Sequence, residues 1–355
     1  MTETTMRAAV YHGDHDIRIA DVPAPRRREG EVLIRVLRSG VCGTDATEWS
    51  VGPKIFPVNT PHRVTGHTGP MILGHEFVGE VVEADAESGF AAGDRVASGA
   101  GVWCGECARC VEGRTNMCDR YWTYGLSTDG GMAELVAAAA ETLERIPDGL
   151  PIDHAALAQP LAVGIHAARR SGAKDTDRVV VIGAGAIASF VLAGLKHLVD
   201  AEIAVVDFPG PKLDRALRFG ADHVLAPGET LADDVSAAFG GRKPDVVIEA
   251  SGAPGQLSAA IAMVRDGGRV LAVGLPKTKP EIDVHSFVFR EISLESSLAH
   301  VCSTDLGPAL EILAEGVLGP ELVERVVPLE RLGDELENLA AGRLEGKILV
   351  DPALT

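Results

Sequence analysis

The sequence predicts an α/β fold organised around a doubly wound parallel sheet, with a mostly β region before and after it in the chain. Three observations carry this. Residues 178–188 (RVVVIGAGAIA) read as a buried strand, a glycine turn and the start of a helix, because the β-branched run from Val179 to Ile182 suits a strand covered on both faces. From 178 to about 298, strand patterns at 201–207, 245–252 and 269–274 alternate with helical ones such as 212–219, which follows Pro211, a favourable first helical residue. Outside that range the pattern changes to short strands, turns and long irregular stretches. The expected division is a mostly β region over 1–162, a parallel-sheet region over 163–298, and a return to the first region over 299–355.

Taken in order, residues 31–38 alternate partly, with Val32, Ile34 and Val36 on one face of a strand. Residues 39–45 read as a turn with Cys42 at its tip. Residues 51–70 are broken by Gly52, Pro53, Pro57, Pro61, Gly66, Gly69 and Pro70, a long loop of the kind that lines a substrate entrance. The stretch 71–82 carries Gly74, His75 and Glu76, and 92–96 turns into another strand. Residues 154–171 read as a helix with Leu157, Leu161 and Ile165 at helical spacing and Gly172 beyond its end. Gln159-Pro160 lies inside that pattern, so a break is expected there, aiming Gln159 differently from its neighbours.

Composition bounds the function. A chain of 355 residues with 46% apolar residues is enough for two domains and a large core. No run approaches a membrane span and the start has no apolar signal region, so a cytoplasmic location is expected. A formal net charge of −18 disfavours nucleic acid and anionic membranes as partners and leaves small molecules. Four of the six cysteines fall within fifteen residues, which points to metal ligands in a reducing compartment rather than to disulfides.

Two motifs carry chemistry, the first through the strand–turn–helix–strand context in which it stands, since a glycine turn alone is a weak signal. In G-x-G-x-x-A, Gly183 permits the tight turn, Gly185 lets the backbone approach a pyrophosphate, and Ala188 takes the packing position after Ile187; the helix N-terminus then faces the phosphates. Asp207 ends the next strand 24 residues after Gly183, where a carboxylate accepts hydrogen bonds from the adenosine ribose and repels a 2′-phosphate. NAD is therefore expected over NADP. In C-x2-C-x2-C-x7-C, Cys104, Cys107, Cys110 and Cys118 are spaced to wrap one Zn²⁺; four thiolates leave no open position, so that site is structural.

Cys42-Gly43-Thr44-Asp45, Gly74-His75-Glu76, Gly93-Asp94-Arg95-Val96, the four-cysteine lobe at about 100–120, Gln159-Pro160-Leu161-Ala162 and the glycine turn stand in one order. In that order the chain resembles the zinc-dependent medium-chain alcohol and polyol dehydrogenases over almost its whole length, most closely the 2,3-butanediol and sorbitol dehydrogenase branch. The resemblance implies a Rossmann domain beside a GroES-like catalytic domain, and two zinc ions, one catalytic and one structural. It implies Cys42 and His75 as catalytic-zinc ligands, Asp45 as the carboxylate that orients the histidine, and Glu76 as a group able to swing onto zinc. It further implies Thr44 as the hydroxyl that takes the alcohol proton, Ser251 and Gly252 along the nicotinamide ring, Val273 and Gly274 at its carboxamide, and a homodimer or homotetramer formed through a strand near 292–298. Two departures stand out. Gln159 occupies the third ligand position, where Glu or Cys is usual, and offers only a neutral carbonyl oxygen. Thr47 stands where a proton-relay histidine often stands.

The expected activity is oxidation of a secondary alcohol, diol or polyol to a ketone with hydride transfer to NAD, an EC 1.1.1 reaction. The alternatives weighed are an aldose 1-dehydrogenase, favoured by Gln159, a zinc-free reductase of activated alkenes, and a non-catalytic NAD-binding protein.

Overall fold

The computed structural model describes residues 4–276 and 278–354. The chain divides into two compact units. One runs to Gln159 and resumes at Val301; the other is Pro160–His300. Among the described residues, no helix is long and apolar enough to cross a membrane.

The first unit is mostly β. Its largest sheet has seven strands, with Glu31–Gly40 near the centre. That strand pairs antiparallel with Glu76–Glu83, Leu135–Ala139 and Lys347–Asp351. Val32, Ile34 and Val36 face a core with Phe77, Val81, Val96 and Tyr124, the face that the alternation predicts. A three-stranded sheet holds Thr5–Gly13, Asp16–Pro23 and Met71–Ile72. The irregular stretch after Gly52 is anchored from within: Phe56 is buried edge-on against Tyr11 at 5.2 Å. The buried Glu48 carboxylate accepts the Lys54 and Ile55 N–H groups at 2.8 and 3.0 Å, and the Thr65 hydroxyl donates to the Ser127 carbonyl at 2.7 Å.

The second unit is a six-stranded, all-parallel sheet. Its spatial order is His223–Leu225, Glu202–Val206, Arg178–Ile182, Val246–Glu249, Arg269–Ala272, Ser293–Ser296. Numbered along the chain this is 3-2-1-4-5-6, the doubly wound order that reverses direction beside its first strand. Val179 to Ile182 are all buried, as a strand covered on both faces requires. Asp245 ties two strands together: one oxygen accepts the Arg178 N–H and guanidinium at 2.9 and 3.0 Å, the other the Arg265 guanidinium at 2.6 Å. Burial works against the charged form, but these donors hold the Asp245 carboxyl below its ordinary pKa.

Two local expectations are corrected. The helical pattern at 154–171 breaks earlier than Gln159-Pro160, between Ile152–Ala155 and Ala158–Ser171. Pro160 then falls in the first turn of the longer helix, where its missing N–H costs nothing. Cys42 is not the tip of a bare turn but the N-cap of a helix, Gly43–Val51.

Candidate active site

Strand register assembles the first cluster. Gly40 stands opposite Glu76 on one neighbour and opposite Leu349 on the other. Antiparallel pairing carries the chain two residues on to Cys42, back one residue from Glu76 to His75, and back two from Leu349 to Lys347. Residues far apart in sequence therefore meet at one end of the sheet. The Cys42, His75 and Glu76 ligand atoms all lie within 4.8 Å of one another.

The backbone that presents these groups is tightly specified. Gly74 has φ +98°, and an added Cβ there would lie 2.7 Å from the Met132 backbone nitrogen, so a side chain before His75 is barred by conformation and by space. An added Cβ at Gly40 would lie 2.3 Å from the Glu76 carboxylate, so the missing side chain is what makes room for it. Asp45, three residues into the helix turn, accepts the Cys42 N–H at 3.0 Å through one oxygen. Its other oxygen lies 3.7 Å from His75 Nδ1. One buried carboxylate thus addresses both residues, and it leaves Nε2 as the ring nitrogen able to ligate.

Charge at this cluster is unbalanced. Cys42, Asp45 and Glu76 bring three potential anions, and the one ammonium is that of Lys347, at 2.5 Å from Glu76. Burial lowers the tendency of His75 to hold a proton, yet the Cys42 sulfur and the Asp45 carboxylate outweigh it and raise the ring pKa to about 10. Burial also pushes the Asp45 carboxyl up. Asp45 Oδ1 and His75 Nδ1 are buried without a hydrogen bond, whereas Glu76 Oε2 is met by the Lys347 ammonium. Buried groups of this kind require a partner. A divalent cation on sulfur, imidazole and carboxylate supplies one and neutralises the two excess negative charges, so the donor set fits zinc.

The second cluster lies in the same unit. Its base is the short ribbon of Gly101–Val102 and Trp122–Thr123, and its thiols are Cys104, Cys107, Cys110 and Cys118, again within 4.8 Å of one another. Sulfurs tetrahedral about zinc at the usual bond length sit about 3.8 Å apart. Here Cys107 and Cys110 are 3.6 Å apart and Cys104 and Cys110 4.0 Å. Backbone N–H groups of Glu106 and Cys107 lower the Cys104 pKa to about 6, while burial and the Cys107 thiol push Cys110 up to about 12. Four thiols so placed fit a closed zinc site.

In the parallel-sheet unit, Gly183 has φ +108° and its N–H donates to the Val206 carbonyl at 2.7 Å. A Cβ on Gly185 would meet nothing within 4 Å, and Gly185 caps the helix Ala186–Leu198, whose Ile187 lies in its first turn and whose Ala188 is buried. Asp207 accepts the Ala184 N–H at 2.6 Å, which sets the carboxylate against the glycine turn. Ser251, Gly252, Val273 and Gly274 are brought together by a residue the motif reading missed. The buried Glu249 carboxylate accepts the Ser251 N–H and hydroxyl and the Gly252 N–H, at 2.8, 2.5 and 2.9 Å, and its carbonyl accepts the Val273 and Gly274 N–H groups. The one sequence signal was an acid closing an otherwise apolar strand.

Of the remaining expected residues, Thr44 is half-buried in the first turn of the helix that Cys42 caps, and Thr47 turns its hydroxyl back to the Gly43 carbonyl at 2.9 Å. Gln159 is half-buried in the first turn of Ala158–Ser171 and is the last residue of the first unit. Lys347 was missed outright, although a lysine opening the buried strand Lys347–Asp351 is a visible anomaly.

Comparison with known proteins agrees with this architecture. A family model for the alcohol dehydrogenase GroES-like domain matches residues 28–148, and one for zinc-binding dehydrogenases matches 186–315. The chain is 32% identical to the sorbitol dehydrogenase of Bacillus subtilis, covering 99% of both chains. It is 32% identical to the erythritol/L-threitol dehydrogenase of Mycolicibacterium smegmatis, covering 98% of each. The crystal structure of 2R,3R-butanediol dehydrogenase from Bacillus subtilis superposes with a TM-score of 0.87 at 29% identity, covering 98% of this chain and 99% of that one.

Proposed function

Because the chain belongs to the zinc-dependent medium-chain alcohol and polyol dehydrogenases, we propose that this oxidoreductase oxidises a polyol or vicinal diol at a secondary carbon, with NAD as the hydride acceptor. The observation that carries the reading is the Cys42–His75–Glu76 cluster, with its excess of negative charge and with Asp45 Oδ1 and His75 Nδ1 buried beside it without a hydrogen bond. In this reading the unit up to Gln159 and from Val301 is catalytic, and Pro160–His300 holds the dinucleotide.

Cys42 and His75 hold the catalytic metal, Gln159 and Glu76 complete its surroundings, and the four thiols hold a structural one. When bound, zinc supplies Lewis acidity toward the alcohol oxygen and NAD supplies the hydride acceptor. Asp45 keeps the His75 ring in its ligating orientation. The Thr44 hydroxyl accepts the alcohol proton and gives up its own toward solvent. Thr47, whose hydroxyl serves the Gly43 carbonyl, takes no part. Gly183, Gly185 and the turn at Ile187 seat the pyrophosphate, Asp207 takes the adenosine ribose, and the Ser251–Gly252 and Val273–Gly274 backbones, fixed by Glu249, meet the nicotinamide end. A panel of diols, linear polyols and aldoses, read by NADH absorbance, tests the reading; no reduction of NAD by any secondary alcohol would sink it. Gln159 favours a second reading, an aldose 1-dehydrogenase, which the same panel decides by glucose and galactose outpacing the polyols.

Asp207 supports NAD over NADP. Like charges brought together cost several kcal/mol, so the wild type is expected to prefer NAD by about 100-fold or more in kcat/KM, and Asp207→Ala to narrow that ratio at least about tenfold. Equal use of both cofactors by the wild type overturns the assignment. A second copy of the chain is the proposed partner. Ser293–Ser296 is an edge strand with one neighbour, and Leu275, Val284, Val288, Phe289 and Leu298 of the same unit are exposed, an arrangement suited to two-fold pairing. Light scattering should report a dimer or a multiple of it, and a monomer at micromolar concentration refutes the pairing. Four clustered thiols that form no disulfide support a reducing, cytoplasmic setting.

A further inference from the structure

We propose that Glu48 is a positioning residue for substrate binding: its carboxylate holds the loop after the Cys42 helix so that Ile55 meets the alcohol in a preset place. The inference rests on Cys42 and His75 holding the catalytic metal. It goes beyond that reading because Glu48 belongs to no motif in the sequence and both its oxygens are taken by loop backbone.

The helix Gly43–Val51 starts at the Cys42 N-cap, and Glu48, in its last turn, is 2% exposed. Its oxygens accept the Lys54 and Ile55 N–H groups, one each, at 2.8 and 3.0 Å. Among the described residues no cationic side chain pairs with it. A buried carboxylate without a cation suffers its desolvation, and two charge-assisted bonds to one stretch of loop compensate it here. The space is shaped for this contact, since an added Cβ at Gly52 would lie 2.7 Å from the Glu48 carboxylate. The Tyr11 hydroxyl donates to the Glu48 carbonyl at 2.7 Å. Burial, and then the Glu48 carboxylate, push the Tyr11 pKa up and keep the hydroxyl a donor. The Tyr11 ring also holds the buried Phe56 edge-on, so the loop is pinned on both sides of the Ile55 side chain. That side chain is 58% exposed, offered outward by a backbone held from within. The hydroxyls of Thr47 and Ser50 are spent on the Gly43 and Ala46 carbonyls. Of the exposed side chains on the segment 52–56, Lys54 is cationic and Ile55 apolar, so Ile55 is the one suited to the carbon chain of an alcohol. A loop fixed in advance spares the substrate the cost of ordering it.

Glu48→Gln tests this, because it keeps the volume but brings one acceptor oxygen to two N–H groups. It should raise KM for the best alcohol of the panel about tenfold while kcat stays within about twofold, the pattern of lost binding rather than lost chemistry. Hydrogen exchange at the Lys54 and Ile55 amides should accelerate, and metal content and KM for NAD should not change. Ile55→Ala should raise the same KM. Adding Glu48→Gln to it should cost little more, because Glu48 acts through Ile55 and coupled residues do not add. An unchanged KM in Glu48→Gln despite faster amide exchange overturns the proposal, as does a fall in kcat with loss of metal. Should Glu48→Gln not fold, Ile55→Ala decides: a raised KM supports the proposal and an unchanged one defeats it. Turnover indifferent to both variants defeats this inference alone. No turnover of any alcohol by the wild type defeats the metal-centre reading with it.

Discussion

Cys42→Ala or His75→Ala is expected to lower kcat/KM by about 10³-fold or more and to release one of two zinc ions per chain. The size follows from the chemistry. Lewis-acid activation is worth several kcal/mol of barrier, and each 1.36 kcal/mol is about tenfold. Neither residue has a substitute within the cluster: the remaining donors are Glu76, engaged by Lys347 at 2.5 Å, and a second-row Asp45 bonded to the Cys42 backbone. The thermal midpoint should change far less than activity, because Cys42 sits at a helix N-cap and its main chain keeps its bonds. Metal analysis beside kinetics checks the pair of outcomes. Turnover surviving with catalytic zinc gone would end the assignment of this cluster.

Cys110→Ala should have the largest effect on stability. Its sulfur lies 3.6 Å from Cys107 and 4.0 Å from Cys104, so its loss opens the shell at the point where three thiols converge. Binding energy at a closed thiolate site is also folding energy for the loop that supplies it. The lobe contains only a four-residue helix, Ala108–Val111, and a three-residue 3-10 turn, Thr115–Met117. Little else there can order the chain. Loss of one metal per chain, protease sensitivity over 104–118, and a fall in thermal midpoint of about 10 °C are expected, at about 2–4 °C per kcal/mol for a domain of this size. Calorimetry and limited proteolysis read both. A variant with full metal content and an unchanged melt would show that the four thiols hold no zinc.

Legibility in the sequence followed the range of the signal. The parallel sheet was readable because it is local: a β-branched run, two glycines and an acid 24 residues on lie within one strand–turn–helix–strand unit. The four-thiol lobe was readable for the same reason, since a closed site drawn from fifteen residues needs no tertiary information. Cys42 and His75 were readable only through resemblance; each alone is an unremarked thiol and an unremarked imidazole. The break before Ala158 was misplaced because Pro160 was read as a helix interior, when a proline in the first turn is tolerated.

By itself, then, the sequence determined the doubly wound sheet, the glycine turn and the thiol lobe, each written in contiguous patterning and in residues whose chemistry is fixed. Only the tertiary structure decided how the charges around Cys42, His75 and Glu76 are arranged. Lys347 reaches Val41 across 306 residues of chain, and Glu249 closes on loops whose partners come from separate strands. The reason is register: which side chains share one end of a sheet depends on how antiparallel strands align, and no linear spacing encodes that alignment.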